Sequence, residues 1–279
     1  MSYLMENLDE CARLQIKTDL NTVKRQAAWA GIKPGMRVLD VGSGAGYTTK
    51  ALADLVGPDG HVTGLDFSQE RLEESRKQHP DSNISFVHHD IRSPYYSDEP
   101  YDAVYVRFLL EYFLKEQATI VANCLTSLKI GGIACLADSD NNSLTHVGPT
   151  YTERLQTTLV DIMSRLERDF DFDAYAGRRL YGHLVGLGYE DVDCMVEAHH
   201  LIYGQIEEKD SYNWTRKLEL TAIKSGCTFD AYKTPEFVHH NEPYDAFVEE
   251  FRAYFFHPSR FCFTPIMICR GTRALRELP

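Results

Sequence analysis

The chain has 279 residues, 43% of them apolar, enough for one large α/β domain or a domain with a sizeable insertion. Its 29 Lys and Arg against 41 Asp and Glu give a net charge of −12, a poor match for nucleic acid or an anionic membrane, and Lys/Arg-rich runs are absent. No apolar run approaches the roughly 20 residues of a membrane span, and Met1–Asn7 lacks the charged and apolar regions of a signal peptide.

In chain order, residues 8–29 read as helix, stopped by Gly31 and Pro34-Gly35. Arg37–Val41 is a short buried strand, followed by a glycine-rich loop and a helix over Lys50–Val56 that Gly57-Pro58 ends. His61–Asp66 is a second strand. Ser68 caps a charged helix over 69–79, and Ile84–Asp90 and Tyr101–Val106 are the third and fourth strands. A helix over 116–129, with apolar residues at 120, 121, 124, 125 and 128, is expected to end at Gly131-Gly132, before a fifth strand over Ile133–Ala137. Beyond Pro149 come an amphipathic helix over 151–170, a helix near 177–187, a strand over Asp191–Val196, helices around 208–225 and 242–256, and a last strand over Phe263–Cys269.

Strand-helix alternation with short links predicts an α/β fold: a Rossmann-like, seven-stranded, mostly parallel sheet with helices on both faces. Its core takes in residues 1–200 and 263–279, with an N-terminal helical segment over 1–30. Residues 201–262 form a helical, aromatic-rich insertion. From 201 to 263 there are 14 aromatics, against 18 in the other 216 residues. They serve either as the insertion's own core or as a lid over a substrate.

Ligands of such sheets bind beyond the carboxyl ends of the strands. The residues there are Asp40 with the loop Gly42-Ser43-Gly44-Ala45-Gly46, then Asp66, Asp90, Arg107 and Asp138. Glycines let a backbone approach a ligand closely and take positive φ. A dinucleotide fingerprint reads G-x-G-x-x-G, whereas here Tyr47 stands where its small third residue belongs and would crowd a pyrophosphate. Asp66, 24 residues after Gly42, suits the hydroxyls of a ribose, a need shared by NAD and other adenosine ligands. Asp90 suits an adenine amino group, with Ile91 against the ring. Neither a G-x-S-x-G elbow nor a P-loop is present.

Val38-Leu-Asp-Val-Gly-Ser-Gly-Ala-Gly46, Leu65-Asp-Phe-Ser68, His89-Asp-Ile91, Tyr101–Val106 and Lys129-Ile-Gly-Gly-Ile133 together resemble the motif series of class I S-adenosylmethionine-dependent methyltransferases. The resemblance covers about residues 30–140 and is nearest the small-molecule branch of ubiquinone and menaquinone biosynthesis. Gly186–Val192 fits more loosely, and the insertion departs from the minimal fold. The resemblance implies S-adenosyl-L-methionine as cofactor and S-adenosyl-L-homocysteine as product. It implies that Asp40, Gly42, Ser43, Gly44 and Gly46 hold the methionine part, Asp66 the ribose, Phe67, Asp90 and Ile91 the adenine, and that Arg107 lines the methionine end. Arg13 and Gln15, on the N-terminal helix, are candidates to close over it.

The expected reaction is methyl transfer to a small, apolar or aromatic molecule by a cytoplasmic enzyme, with a homodimer left open. An NAD(P)-dependent oxidoreductase and a non-catalytic, methyltransferase-like binding module are the alternatives. No spacing singles out a catalytic base among Glu111, Tyr112, Asp138, Asp140, His183, His199, His200 and His257. No metal is expected. The pairs at 88–89, 199–200 and 239–240 are adjacent, and adjacent side chains in a strand point to opposite faces. The acids of Asp138-Ser-Asp140 are too few for a metal site. The seven cysteines form no C-x-x-C pair and read as reduced thiols.

Overall fold

The computed structural model describes residues 19–141, 145–237 and 239–274. Arg13 and Gln15 lie outside them, as does the start of the helical segment expected over 1–30. The chain divides into two compact units. One comprises Met1–Ser139, Tyr175–Val196 and Ile266–Pro279, and the other Asp140–Ala174 and Glu197–Pro265.

In the first unit, helix α1 (Leu20–Ala30) begins at Asp19, whose carboxylate accepts from Asn21 N (2.9 Å), and ends at Gly31 in the left-handed conformation. Then come β1 (Arg37–Val41), α2 (Tyr47–Val56), β2 (His61–Asp66), α3 (Gln69–Gln78), β3 (Ile84–His88), β4 (Tyr101–Arg107), α4 (Gln117–Cys124) and β5 (Leu128–Ser139). The sheet order is β3-β2-β1-β4-β5, all parallel. The final strand, β8 (Phe261–Thr272), adds antiparallel to β5, with Ile133 opposite Thr272 and Ser139 opposite Ile266.

Central strands are buried on both faces, as the continuous apolar runs require. Because side chains alternate along a strand, β1 sends Leu39 and Val41 to one core and Val38 to the other. On the first face Leu39, Val41, Val104, Val106 and Leu136 cluster with Ile120, Val121 and Cys124 of α4. On the second, Val38, Ala103, Tyr105 and Cys135 cluster with Val23 and Ala27 of α1 and Ala51 and Leu52 of α2. Burying a side chain such as Leu52 contributes about 1.5–3 kcal/mol.

The helix expected over 116–129 is shorter. It ends at Cys124, and Leu128 already pairs with Tyr101, so Gly131 and Gly132 belong to β5. Leu125 and Leu128 are core residues in either conformation, so their spacing alone does not distinguish helix from strand.

In the second unit, α5 (Glu153–Phe170) starts at Thr152, whose Oγ1 accepts from Leu155 N (3.1 Å). Leu155, Leu159, Ile162 and Leu166 are buried at helical spacing. The unit also contains α7 (Glu208–Lys224), α8 (Pro243–Phe255) and a short strand, β6 (Thr145–Val147), paired with the first residues of β8. Helix α6 (Leu180–Gly186) and strand β7 (Glu190–Tyr203), which pairs with β8, complete the chain. β6 makes eight strands where seven are expected; at three residues it is below the length at which alternation shows.

The aromatics of the second unit pack on one another. Phe247 lies 5.1 Å from Phe229 and 5.8 Å from Tyr232, and Phe251 stacks on Phe255 at 5.3 Å, ring centre to ring centre. Large aromatic side chains here build the unit's own core.

Candidate cofactor site

Strand β1 ends in Asp40-Val41, and the chain turns through Gly42, Gly44 and Gly46 at φ of +76, +53 and +82°. A residue with a Cβ pays about 1–2 kcal/mol in that region. Sterics add to the requirement: a Cβ on Gly46 would lie 2.8 Å from His79 Cδ2 and 3.0 Å from Phe86 Cζ, and one on Gly42 would lie 3.0 Å from Leu109 Cδ1.

The loop's N–H groups are committed. Gly42 and Ser43 both donate to Leu65 O (2.8 and 3.0 Å), Gly46 donates to Ser43 O (2.9 Å), and Gly44 donates to Asp66 Oδ2 (2.9 Å). Ser75 Oγ in turn donates to Gly44 O (3.0 Å). A pyrophosphate cradle needs such N–H groups turned to the ligand, and here four of them close the loop upon itself and upon β2. Ser43 Oγ, by contrast, is buried with no hydrogen-bond partner among the described residues.

Asp40 is buried and accepts from Thr49 Oγ1 at 2.6 Å. Burial pushes its carboxyl up to about 7; the Thr49 bond opposes this, Asp66 reinforces it, and Arg107 again opposes it. At the end of β4, Arg107 lays its guanidinium 4.2 Å from the Phe108 ring centre, and its Nε has no partner. Burial lowers its pKa, while Tyr105, Asp138, Asp40 and Asp19 hold its charge.

Asp66 is buried and tied on both oxygens. Oδ1 accepts from Ser68 N (2.9 Å) and Arg71 Nη2 (3.0 Å), and Oδ2 from Gly44 N. An ionised carboxylate has about four acceptor positions, so a ribose hydroxyl uses the remaining one or displaces Arg71. Arg71 lies 5.2 Å from the ring centre of Phe67, which is 42% exposed. Asp90 is paired with Arg92, which donates through Nε and Nη2 and from its backbone N–H, and this holds the Asp90 carboxyl below its usual range. Ile91 is buried in the core cluster that includes Leu65.

Arg71 and Thr49 are the partners that sequence reasoning missed. Each meets its acid only through a fold contact, although Arg71 lies five residues beyond Asp66 and just inside a capped helix.

Beyond β4 the backbone bends at Phe108, φ +53°, into a 3-10 turn over Leu110–Tyr112. Asp138, at the end of β5, holds that turn: its Oδ2 accepts from Leu110 N (3.0 Å) and Glu111 N (3.2 Å), and its Oδ1 from Ser139 N (2.8 Å). Burial, and then the nearby Glu111, raises Asp138 well above the ordinary carboxylate range.

The other candidate bases are scattered. His183 Nε2 meets Gln117 Oε1 at 3.0 Å in the first unit, and His257 Nδ1 accepts from Ser259 N (3.2 Å) in the second. Two of the three adjacent His pairs do not diverge as the strand argument expects. The rings at 199–200 and at 239–240 are each 4.1 Å apart, and the latter pair lies in a turn after a 3-10 helix, where strand alternation does not apply. Among the described residues, one group could hold a metal ion: His239, His240 and Glu249 of the second unit, with donor atoms within 4.8 Å of one another.

Residues 38–132 match the family model of a methyltransferase domain. The chain is 30% identical to the protein-L-isoaspartate O-methyltransferase of Methanothermobacter thermautotrophicus over 104 residues, 36% of this chain and 45% of that protein. It is 34% identical to a demethylmenaquinone methyltransferase of Staphylococcus aureus over 118 residues, 42% of this chain and 48% of that protein. It thus spans about half the length of these curated relatives. The Haemonchus contortus phosphoethanolamine N-methyltransferase 2, solved in complex with S-adenosyl-L-methionine, aligns over 98% of this chain and 60% of its own with a TM-score of 0.57 and 13% identity, a likeness of fold. No helix among the described residues is long and apolar enough to cross a membrane. With the sheet order, the glycine turn and the acids at successive strand ends, these matches show a methyltransferase domain over residues 38–132, similar to class I S-adenosylmethionine-dependent methyltransferases and among them to demethylmenaquinone methyltransferases.

Proposed function

We propose that this chain transfers the methyl group of S-adenosylmethionine to a small, apolar or aromatic acceptor, as a cytoplasmic enzyme. The observation that carries this reading is the glycine loop closed on Asp66 beside a buried Asp40. Four of its N–H groups are committed to the protein, which suits a ligand held by carboxylates and shape and does not suit a pyrophosphate. The Ser43 Oγ, buried without a partner among the described residues, fits a polar group of a cofactor lying against the turn.

In this reading Asp40, Ser43 and the loop hold the methionine part. Asp66 takes the ribose, and the exposed face of Phe67, with Asp90 and Ile91, adjoins the adenine. Arg107 balances the charge of Asp40. When bound, the cofactor supplies an activated methyl on a sulfonium, ready for displacement. The chain contributes alignment and exclusion of water. Asp138 is a positioning residue, fixing the turn at 110–112 that follows β4.

Calorimetry with S-adenosylhomocysteine and with NAD tests the cofactor. Binding of the former alone is expected, and tight NAD binding with no response to S-adenosylhomocysteine would overturn the reading in favour of an oxidoreductase. A screen of small aromatic acceptors with radiolabelled methyl donor tests the reaction. Cofactor binding without transfer to any acceptor class would favour a binding module.

A further inference from the structure

Arg260, between α8 and β8 in the second unit, is among the largest fully buried side chains of the protein, at 1% exposure. Its Nε donates to Phe255 O at 2.6 Å, and its guanidinium carbon lies 5.4 Å from the Phe255 ring centre. Both terminal nitrogens, Nη1 and Nη2, are buried, and among the described residues neither has a hydrogen-bond partner or a paired carboxylate. On α7, Trp214 is 6% exposed, lies 6.5 Å from the same Phe255 ring, and has its own Nε1 buried without a partner. Lys217 Nζ stands 4.8 Å from the centre of the Trp214 ring.

These unmet groups are all donors. Burying an unpaired cation costs several kcal/mol, and a guanidinium has five N–H donors and no acceptor. The group that satisfies such a set is an acceptor-only oxyanion, bound by Arg most strongly when two parallel bonds form. The surroundings are aromatic: Phe255 stacks on Phe251 at 5.3 Å, and Tyr254 is fully buried.

We infer that Arg260 and Trp214, against Phe255, form a binding site for a small molecule that carries an oxyanion, a carboxylate or a phosphate, on an apolar or aromatic body. Within the second unit one hydrogen bond and a ring face hold the guanidinium, leaving Nη1 and Nη2 as the donors for the anion. Its binding does not depend on the function proposed above.

The test uses the full chain, with benzoate and inorganic phosphate as probes, followed by calorimetry and thermal unfolding. At least one probe is expected to bind and raise Tm. Arg260→Met, which keeps the length and removes the charge, should weaken that binding at least tenfold and leave the Tm without probe unchanged or higher. Trp214→Phe, which keeps a ring and removes the N–H, should weaken binding a few-fold. Preference for benzoate indicates a carboxylate on an aromatic body, and preference for phosphate a phosphate ester; either supports the site. Failure of both probes to bind the wild-type protein overturns it. So does an Arg260→Met variant with a lower Tm and unchanged probe binding, which would make the guanidinium a structural brace. S-adenosylhomocysteine binding is measured on the same samples. Its absence would count against the methyltransferase reading and leave the anion result standing.

Discussion

Replacing Asp40 by Asn removes one ionisation from the protein, and the structure sets the size of the effect. Burial lifts the Asp40 carboxyl from 3.8 to about 7, so the folded state holds this proton more tightly than the unfolded chain. A raised folded pKa means that Asp40 favours folding most below the unfolded value. That contribution is lost as pH rises from about 4 through 7, and the loss is complete above it. About three pH units at roughly 1.4 kcal/mol each amount to about 4 kcal/mol as an upper figure. Asn cannot ionise, and its amide oxygen can still accept from Thr49 Oγ1. Urea unfolding of both proteins from pH 4 to 8.5 should therefore show the gap between Asp40→Asn and wild type moving in favour of the variant. A shift of about 2–4 kcal/mol is expected, levelling off above pH 7. Other titrating groups are common to both proteins and cancel. A gap that stays constant within about 0.5 kcal/mol would refute the buried, neutral-pH carboxyl.

Asp66→Ala should weaken S-adenosylhomocysteine binding by about 1–3 kcal/mol in calorimetry, because it removes both the proposed ribose acceptor and the partner of Gly44 N; unchanged affinity in a folded variant would refute the proposed ribose contact. Gly46→Ala should cost about 2–5 kcal/mol, combining left-handed backbone strain with overpacking against His79 and Phe86. Gly35→Ala, at φ +84° with nothing within 4 Å, should cost the backbone strain alone, about 1–2 kcal/mol. Equal losses in denaturant titrations would remove the steric argument. Asp138→Ala strands three backbone N–H groups and should lower stability by about 3 kcal/mol or more, with Asp138→Asn intermediate. A neutral Asp138→Ala would show that the turn at 110–112 holds without it.

What the sequence by itself determined is what short-range chemistry determines. The glycine turn after β1 is legible because each of its glycines is demanded locally by positive φ. The alternation of strand and helix implies the parallel sheet, and the spacing of Leu155, Leu159, Ile162 and Leu166 implies the buried face of α5. The acids at the strand ends could be placed because strand boundaries are local too. Tertiary structure decided what those acids experience. Asp66 meets Gly44, and Asp40 is raised to about 7, only because segments apart in sequence enclose them. Residues 140–174 join 197–265 in one unit through long-range contacts that no periodicity records. Arg260 is the plainest case. An arginine in a sequence reads as a surface charge, and its burial with both terminal nitrogens unpaired among the described residues arises only in the assembled fold, because desolvation is a property of the surroundings and not of the residue.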